Sequence, residues 1–204
     1  NTGTETNLIS VRPSGSFPAF TSLTSATVFN EGYAVIGTDS LGAFTYPSWM
    51  TSEYISVLPY LNSDMLIDLA GNVTWNTDWG MLLSYDNGLV PVNSRSTGLW
   101  GFASADGEYV VDPLYEDFWF TYRYGVYTVF HNGVASVVRS GAPLAIDNIG
   151  NVLLYPDADT LGIYSEGVFA FEKDGLWGYM DIYGNIVVAA QYASAEEFSN
   201  GAAV

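Results

Sequence analysis

Gly167-Val-Phe-Ala-Phe-Glu-Lys-Asp-Gly175-Leu-Trp177-Gly178-Tyr-Met-Asp-Ile-Tyr-Gly184-Asn-Ile-Val-Val188 is the stretch that decides the fold. Val168 to Phe171 is a short apolar run, and Asp174-Gly175 follows it as a hairpin turn. Asp-Gly suits a two-residue turn because both central positions take positive φ. Trp177 to Met180 is the return strand, Asp181 to Asn185 a second turn, and Ile186 to Val188 a third strand. Strands of this length, punctuated by Gly, Asn and Asp, describe an all-β unit without helical periodicity.

The unit recurs. Residues 98–115 match residues 175–192 at eight of eighteen positions without a gap, including Trp100-Gly101 against Trp177-Gly178 and Tyr115 against Tyr192. A small or apolar residue, an aromatic three positions on and a glycine after three more occurs at Ala26-Phe29-Gly32, Leu82-Tyr85-Gly88, Trp119-Tyr122-Gly125, Leu161-Tyr164-Gly167 and Ala195-Phe198-Gly201. Each of these glycines follows a turn glycine (Gly15, Gly71, Gly107, Gly150, Gly184) by 17 or 18 residues. The 204 residues therefore divide into five tandem copies in one array, the first and last incomplete, with an insertion at about 44–66. In this register Leu41-Gly42 of the first copy and Ala135-Ser136 of the third stand where Trp-Gly is expected, and His131 and Lys173 share a hairpin-tip position.

A lone hairpin is marginal in water, so such copies must bury one another's faces. The sequence thus predicts an all-β array of tandem short hairpins, arranged as a small β-propeller-like ring or alternatively as a linear β-solenoid or open hairpin array. Leu8 to Val11 opens the chain as the strand before the first turn glycine, and Gly201 to Val204 closes it as an opening strand. These half-repeats are complementary, within one chain or head to tail between chains. Tyr54 to Leu61 is the one place for a brief helix.

These motifs resemble the bacterial WG-repeat family, with units of the form Gly-Leu-Ala-x-Val, Gly-Lys-Trp-Gly-Tyr-Ile-Asp, then Val-Ile and x-Pro-x-Tyr. Asp112-Pro113-Leu114-Tyr115 carries the last element with its proline. The resemblance is strong over about 85–204. It implies a β-rich, exported bacterial protein and no particular activity.

Composition narrows the function. Five Lys and Arg against 22 Asp and Glu give a net charge of −17, and this excludes a phosphate backbone as partner. No cysteine is present, and one histidine cannot build a multi-histidine zinc site. No apolar run is long enough for a membrane-spanning helix. A single lysine among many Thr, Ser, Asn and Tyr points to an extracytoplasmic, secreted or cell-surface protein.

Trp100, Gly101, Trp177 and Gly178 are expected to be structural, the tryptophans packing in the repeat core. His131 is expected to be a solvated turn residue, and Glu196-Glu197 a solvated face. The recurring Asp-x-x-Gly-Asn turns serve backbone geometry, so no metal is expected, Asp157 and Asp159 being the one pair that could offer calcium two carboxylates. No catalytic residue and no cofactor are assigned. Ligand contact is expected where the repeat imposes nothing: Tyr46, Trp49, Tyr54 and Tyr60 in the insertion, and Arg123 and Tyr124 in the third copy, with Trp119 and Tyr122 held by the repeat. The expectation is a non-enzymatic exported repeat module for binding or structural presentation. The alternatives are a carbohydrate-binding surface module using the aromatic insertion and a self-assembling filament subunit. Its partner would be a protein, a glycan or another copy of the chain.

Overall fold

The computed structural model describes residues 23–38 and 63–203, and within these every regular element is a β-strand. Four antiparallel sheets follow one another along the chain. The first holds β1 (Leu23–Ala26), β2 (Tyr33–Thr38), β3 (Ser63–Asp68) and β4 (Val73–Trp75). The second holds β5 (Trp79–Leu82), β6 (Val90–Ser94), β7 (Trp100–Ala103) and β8 (Tyr109–Tyr115). The third begins with β9 (Asp117–Phe118), leaves the sheet for a separate hairpin of β10 (Thr121–Arg123) and β11 (Val126–Thr128), and returns as β12 (Val134–Arg139), β13 (Ala142–Asp147) and β14 (Val152–Leu154). The fourth holds β15 (Thr160–Ser165), β16 (Val168–Lys173), β17 (Leu176–Asp181) and β18 (Ile186–Tyr192). The described residues form an open array of meanders, and β3 meets β5, β8 meets β12, and β12 and β13 meet β15 between sheets.

Turn chemistry sets the strand lengths. Eight residue pairs of the form x-Gly have both φ angles positive, the geometry of the type I′ hairpin turn. Asn and Asp tolerate this conformation, but Glu31 and Glu166 also adopt it, at φ of 47° and 49°. Both glutamates accept a hydrogen bond from the backbone of a later copy. The Gly88 N–H donates to Glu31 at 2.9 Å and the Gly201 N–H to Glu166 at 2.8 Å. A side chain long enough to reach the next copy thus offsets the strain at its own backbone.

The second recurring turn joins the third and fourth strands. Asp68, Asp147 and Asp181 each accept backbone N–H bonds two and four residues on, and an amide N–H from the side chain of Asn72, Asn151 or Asn185. Hydrogen bonds to the charged form hold all three carboxyls below the ordinary range, with Asn72 and Asn185 the main cause at Asp68 and Asp181. At Asp147 partial burial pushes the other way and is outweighed by Asn151 and the turn N–H groups.

The Trp-Gly dipeptide has a structural cause. In the second sheet Trp100 pairs with Tyr115 while Phe102 pairs with Val111, so β8 bulges opposite Gly101. In the fourth, Trp177 pairs with Tyr192 while Tyr179 pairs with Val188, and β18 bulges opposite Gly178. A Cβ at Gly101 would lie 2.6 Å from the Val111 carbonyl oxygen and 2.8 Å from the Pro113 nitrogen. At Gly178 it would lie 2.5 Å from the Val188 carbonyl oxygen. Only glycine admits that backbone, and proline suits a bulge position that makes no ladder bond.

The structure moves the register of two copies. Ser63 to Leu66, expected in the insertion, belong to β3, so the insertion lies within the β2–β3 connection. The expected Leu41-Gly42 and the helix over Tyr54 to Leu61 lie outside the described residues, as do Leu8 to Val11 and Val204. In the third copy Ala135-Ser136 lies on β12, and β13 with its Asp147 turn is the counterpart of β17 with its Asp181 turn. Pro143-Leu144 therefore stands where Trp-Gly was expected. The copy's glycine is Gly133, not Gly125. His131 bridges Val134 as Asn30 bridges Tyr33, Asp86 bridges Leu89 and Ser199 bridges Ala202. Gly133, Gly167 and Gly201 are then evenly spaced at 34 residues. The β10–β11 hairpin is an inserted piece whose Tyr122-x-x-Gly125 mimics the repeat. Ala195 to Phe198 is neither strand nor helix.

Candidate functional site

The register shift releases Trp119 and Tyr122 from the repeat. Trp119 is 41% exposed and Tyr122 49%, where repeat-core aromatics such as Trp100 and Phe102 are sealed at 2% and 0%. Both line one groove of about 540 Å³ between β10, the fourth sheet and residues 194–197. Trp177 lines the same groove from the fourth sheet. An adjoining hollow of about 430 Å³ continues along Asp117 to Phe120, facing Asp159 to Leu161, and a smaller one of about 230 Å³ continues past Arg123 toward His131 and Ser199. These three hollows share wall residues and run along a single strip of chain, 117–123.

Trp177 is less tightly covered than Trp100, and the neighbouring residue from the next copy differs between them. In the second sheet, the Phe118 ring packs edge-on against Trp100 with centroids 5.0 Å apart. The residue at the same offset from Trp177 is Ala195, which also lines the groove. A methyl in place of a benzyl group leaves the indole half-covered. Trp177 therefore both pairs with Tyr192 across the bulge and presents a face to the groove, beyond the core role expected of it.

The groove's charged groups are mostly acidic. Arg123 lies 3.8 Å from Glu197, and its side chain is 75% exposed. Such a pair contributes little to stability; it marks where the hairpin approaches residues 193–199. That segment is held by the Tyr179 hydroxyl donating to the Glu196 carbonyl at 3.0 Å and the Ser165 hydroxyl donating to the Phe198 carbonyl at 2.6 Å. Glu197 is thus part of a packed segment rather than a solvated face. Asp117, which the sequence did not mark, is a half-buried carboxylate. Burial raises its pKa, partly countered by the Phe118 N–H at 2.8 Å.

His131 is half-buried and not a solvated tip. Its ring nitrogen lies 3.2 Å from the Thr128 carbonyl, and burial lowers its pKa, against the pull of that carbonyl, Glu197 and Asp86. Tyr124 is 97% exposed at the hairpin turn, outside the groove wall, while Arg123 lines it. Tyr46, Trp49, Tyr54 and Tyr60 lie outside the described residues. Asp157 is paired with Lys173, and an Asp159 oxygen accepts the Asp174 N–H at 2.7 Å. Among the described residues no group of three or more His, Asp or Glu side chains is placed to hold a metal ion. No helix among them is long and apolar enough to cross a membrane.

Repeated hairpin sheets closed by a Trp-Gly bulge define the class, a WG-type β-repeat. Residues 100–138, 145–177 and 177–204 match the family model described as the WG containing repeat. The stretch 100–204 accordingly belongs to the WG-containing repeat family. A comparison with curated proteins returns no match. Among solved structures, the chain is similar to "KlHsv2 with loop 6CD replaced by a Gly-Ser linker", at 7% identity and a TM-score of 0.39, over 76% of this chain and 47% of that one. The chain thus spans about half the length of that structure.

Proposed function

We propose that the chain is a non-enzymatic, exported bacterial repeat module that binds an extended, uncharged polar chain, a glycan, in the groove between the β10–β11 hairpin and the fourth sheet. The carrying observation is that Trp119, Tyr122 and Trp177 line one groove, while the repeat-equivalent of Trp177, Trp100, is sealed by Phe118. Aromatic faces stack on the C–H faces of sugar rings. The acidic groups along the strip accept hydrogen bonds from hydroxyls, and a net charge of −17 disfavours an anionic ligand. A rigid array carrying an inserted loop is also the common way in which a scaffold presents a binding surface. The low lysine content and the family resemblance support export.

Glycan-array screening followed by calorimetry tests this reading. The unaltered chain is expected to bind a neutral glycan, with Trp119→Ala and Trp177→Ala each weakening binding by about tenfold, the loss of about 1.4 kcal/mol of stacking. Silence across neutral glycans, or binding indifferent to both changes, overturns it. Binding lost only with Trp49→Ala would place the site in the insertion. Hydrolysis of a glycan that disappears with Asp117→Asn or Asp159→Asn would make the protein an enzyme.

A further inference from the structure

The two walls of the groove run side by side. Residues 117–120 line the first hollow opposite 159–161, residues 119–123 the middle one opposite 162–163, and residues 121 and 123 the last opposite 163 and 165. Positions 117–123 and 159–165 are thus met in the same order along one channel. Both walls are sheet edges: β9 ends the third sheet, β10 belongs to a two-stranded ribbon, and β15 ends the fourth sheet, so no ladder joins them. Ser136, buried on β12, ties them together at mid-length. Its carbonyl accepts the Trp119 N–H at 3.0 Å, and its hydroxyl donates to the Gly162 carbonyl at 2.5 Å. One residue therefore fixes how far apart the walls stand, and the channel is preformed.

The side chains along this channel are ordered as well. Trp119, Tyr122 and Trp177 meet in the middle hollow, and both ends are polar. At one end Asp117 and Asp159 each use one carboxylate oxygen on a backbone N–H, that of Phe118 at 2.8 Å and that of Asp174 at 2.7 Å. Each keeps its other oxygen as an acceptor. At the opposite end lie Arg123, His131 and Ser199. All three hollows open to solvent on one side. A site that reads a chain terminus is a dead-ended pocket. A side-open channel, with stacking faces at its middle and hydrogen-bonding groups at both ends, takes a chain laid in lengthwise. Seven residues of extended wall span about 20 Å, room for about four pyranose rings in line.

We propose that the groove binds the interior of a linear, unbranched glycan, about four consecutive rings at a time, and not a chain end, a single sugar or a branch point. The inference rests on the glycan reading and narrows it to long unbranched chains. The central rings stack on Trp119, Tyr122 and Trp177, and the outer rings give their hydroxyls to the polar groups at the two ends. A chain of any length enters sideways, so its ends lie outside the protein.

Calorimetry on the full chain tests it with three neutral probe series, cello-, chito- and xylo-oligosaccharides of two to six rings, each with and without a 2-aminobenzamide label on the reducing end. In a series that binds, affinity is expected to rise by about tenfold or more from two rings to four and by less than about twofold from four to six. The label on a six-ring ligand is expected to change nothing. Trp177→Ala is expected to weaken two- and four-ring ligands alike, and Asp117→Asn to shrink the gain between them by about threefold. Two-ring ligands that bind as tightly as six-ring ones, or a six-ring affinity that the label abolishes, overturn the inference and leave the glycan reading standing so long as Trp177→Ala still weakens binding. Silence of all three linear series beside binding of a branched glycan has the same meaning. Binding indifferent to Trp177→Ala, or silence of linear and branched neutral glycans alike, overturns the glycan reading and this inference with it.

Discussion

The second and fourth sheets carry Trp-Gly, and the first and third do not. The two WG sheets end in seven-residue strands, β8 and β18, and the other two in three-residue strands, β4 and β14. Met65 and Leu144 occupy the glycine position in the first and third sheets. Met65 pairs with Trp75 in a regular register, and β14 stops at Leu154. A side chain at that position leaves no room for the two-residue bulge, so the last strand cannot fold back over the third strand. The family signature therefore marks a particular ending of the sheet, not the sheet itself. Trp79-Gly80 in β5 makes the same point from the other side, because there the dipeptide lies in a first strand and the register shift leaves the extra residue on its own strand, Trp79 and Met81 facing the adjacent Ser94 and Asn93.

The two tryptophans at the same position give the largest test. Trp100→Ala removes a sealed indole that packs against Phe118, and a loss of about 3–5 kcal/mol in denaturant unfolding is expected. Trp177→Ala removes a half-buried ring that shares the groove wall with Ala195 and is expected to cost about 1 kcal/mol. Equal losses would show that the repeat position, and not its neighbour from the next copy, sets the environment. Ala195→Phe sharpens the contrast. It is expected to bury Trp177, raise the unfolding midpoint and close the groove to ligand.

The glycines come next. Gly101→Ala and Gly178→Ala each force a Cβ into backbone atoms closer than 2.7 Å, which no rotamer change relieves. A loss of about 1–3 kcal/mol is expected for each. Leu144→Gly, the converse change, is expected to be destabilising without lengthening β14, since the residues after Leu154 are not those of a bulge. Near-neutral behaviour of Gly101→Ala would remove the steric account of the signature.

This contrast also explains what could be read in advance. The WG copies were legible because Trp-Gly, the bulge residues and Tyr115 or Tyr192 are mutually required by one piece of geometry and so recur at fixed spacing. The third copy misled because its inserted hairpin ends in Tyr124-Gly125, a type I′ pair preceded by an aromatic residue at the repeat interval. Any hairpin of that length can satisfy such a local pattern. The even spacing from Gly133 to Gly167 to Gly201 was the information that separates them. The misplacement mattered functionally, since it assigned Trp119 and Tyr122 to the core. Trp177 was harder still: the residue eighteen positions ahead of it is Ala195, where Trp100 has Phe118, and nothing in its own motif distinguishes the two. Arg123, chosen because the repeat left it free, does line the groove. Asp117 gave no sequence sign, because its burial depends on where β9 sits beside β12 and not on a motif of its own.

The smallest effects expected are those of pH, and they divide the molecule differently. Burial holds His131 below its unfolded value of 6.5, so the unfolded chain binds more protons there and stability is lost as pH falls from 6.5 through the folded value. His131→Gln should flatten that part of the profile in thermal unfolding, and an unchanged slope would show that the ring is not desolvated by the hairpin. The Asp68, Asp147 and Asp181 turns act lower. Their folded values lie below 3.8, so their contribution is complete above 3.8 and is lost as pH falls through the folded values. Asp117 works with the opposite sign, because its raised value makes the fold take up a proton first and gain stability as pH falls through that raised value. Asp117→Asn should therefore steepen the acid limb while Asp147→Asn makes it shallower. If both changes move the limb the same way, either the shielding of Asp117 or the turn geometry of Asp147 is not as described, and the shielded acid and the turn acids cannot be told apart by their surroundings.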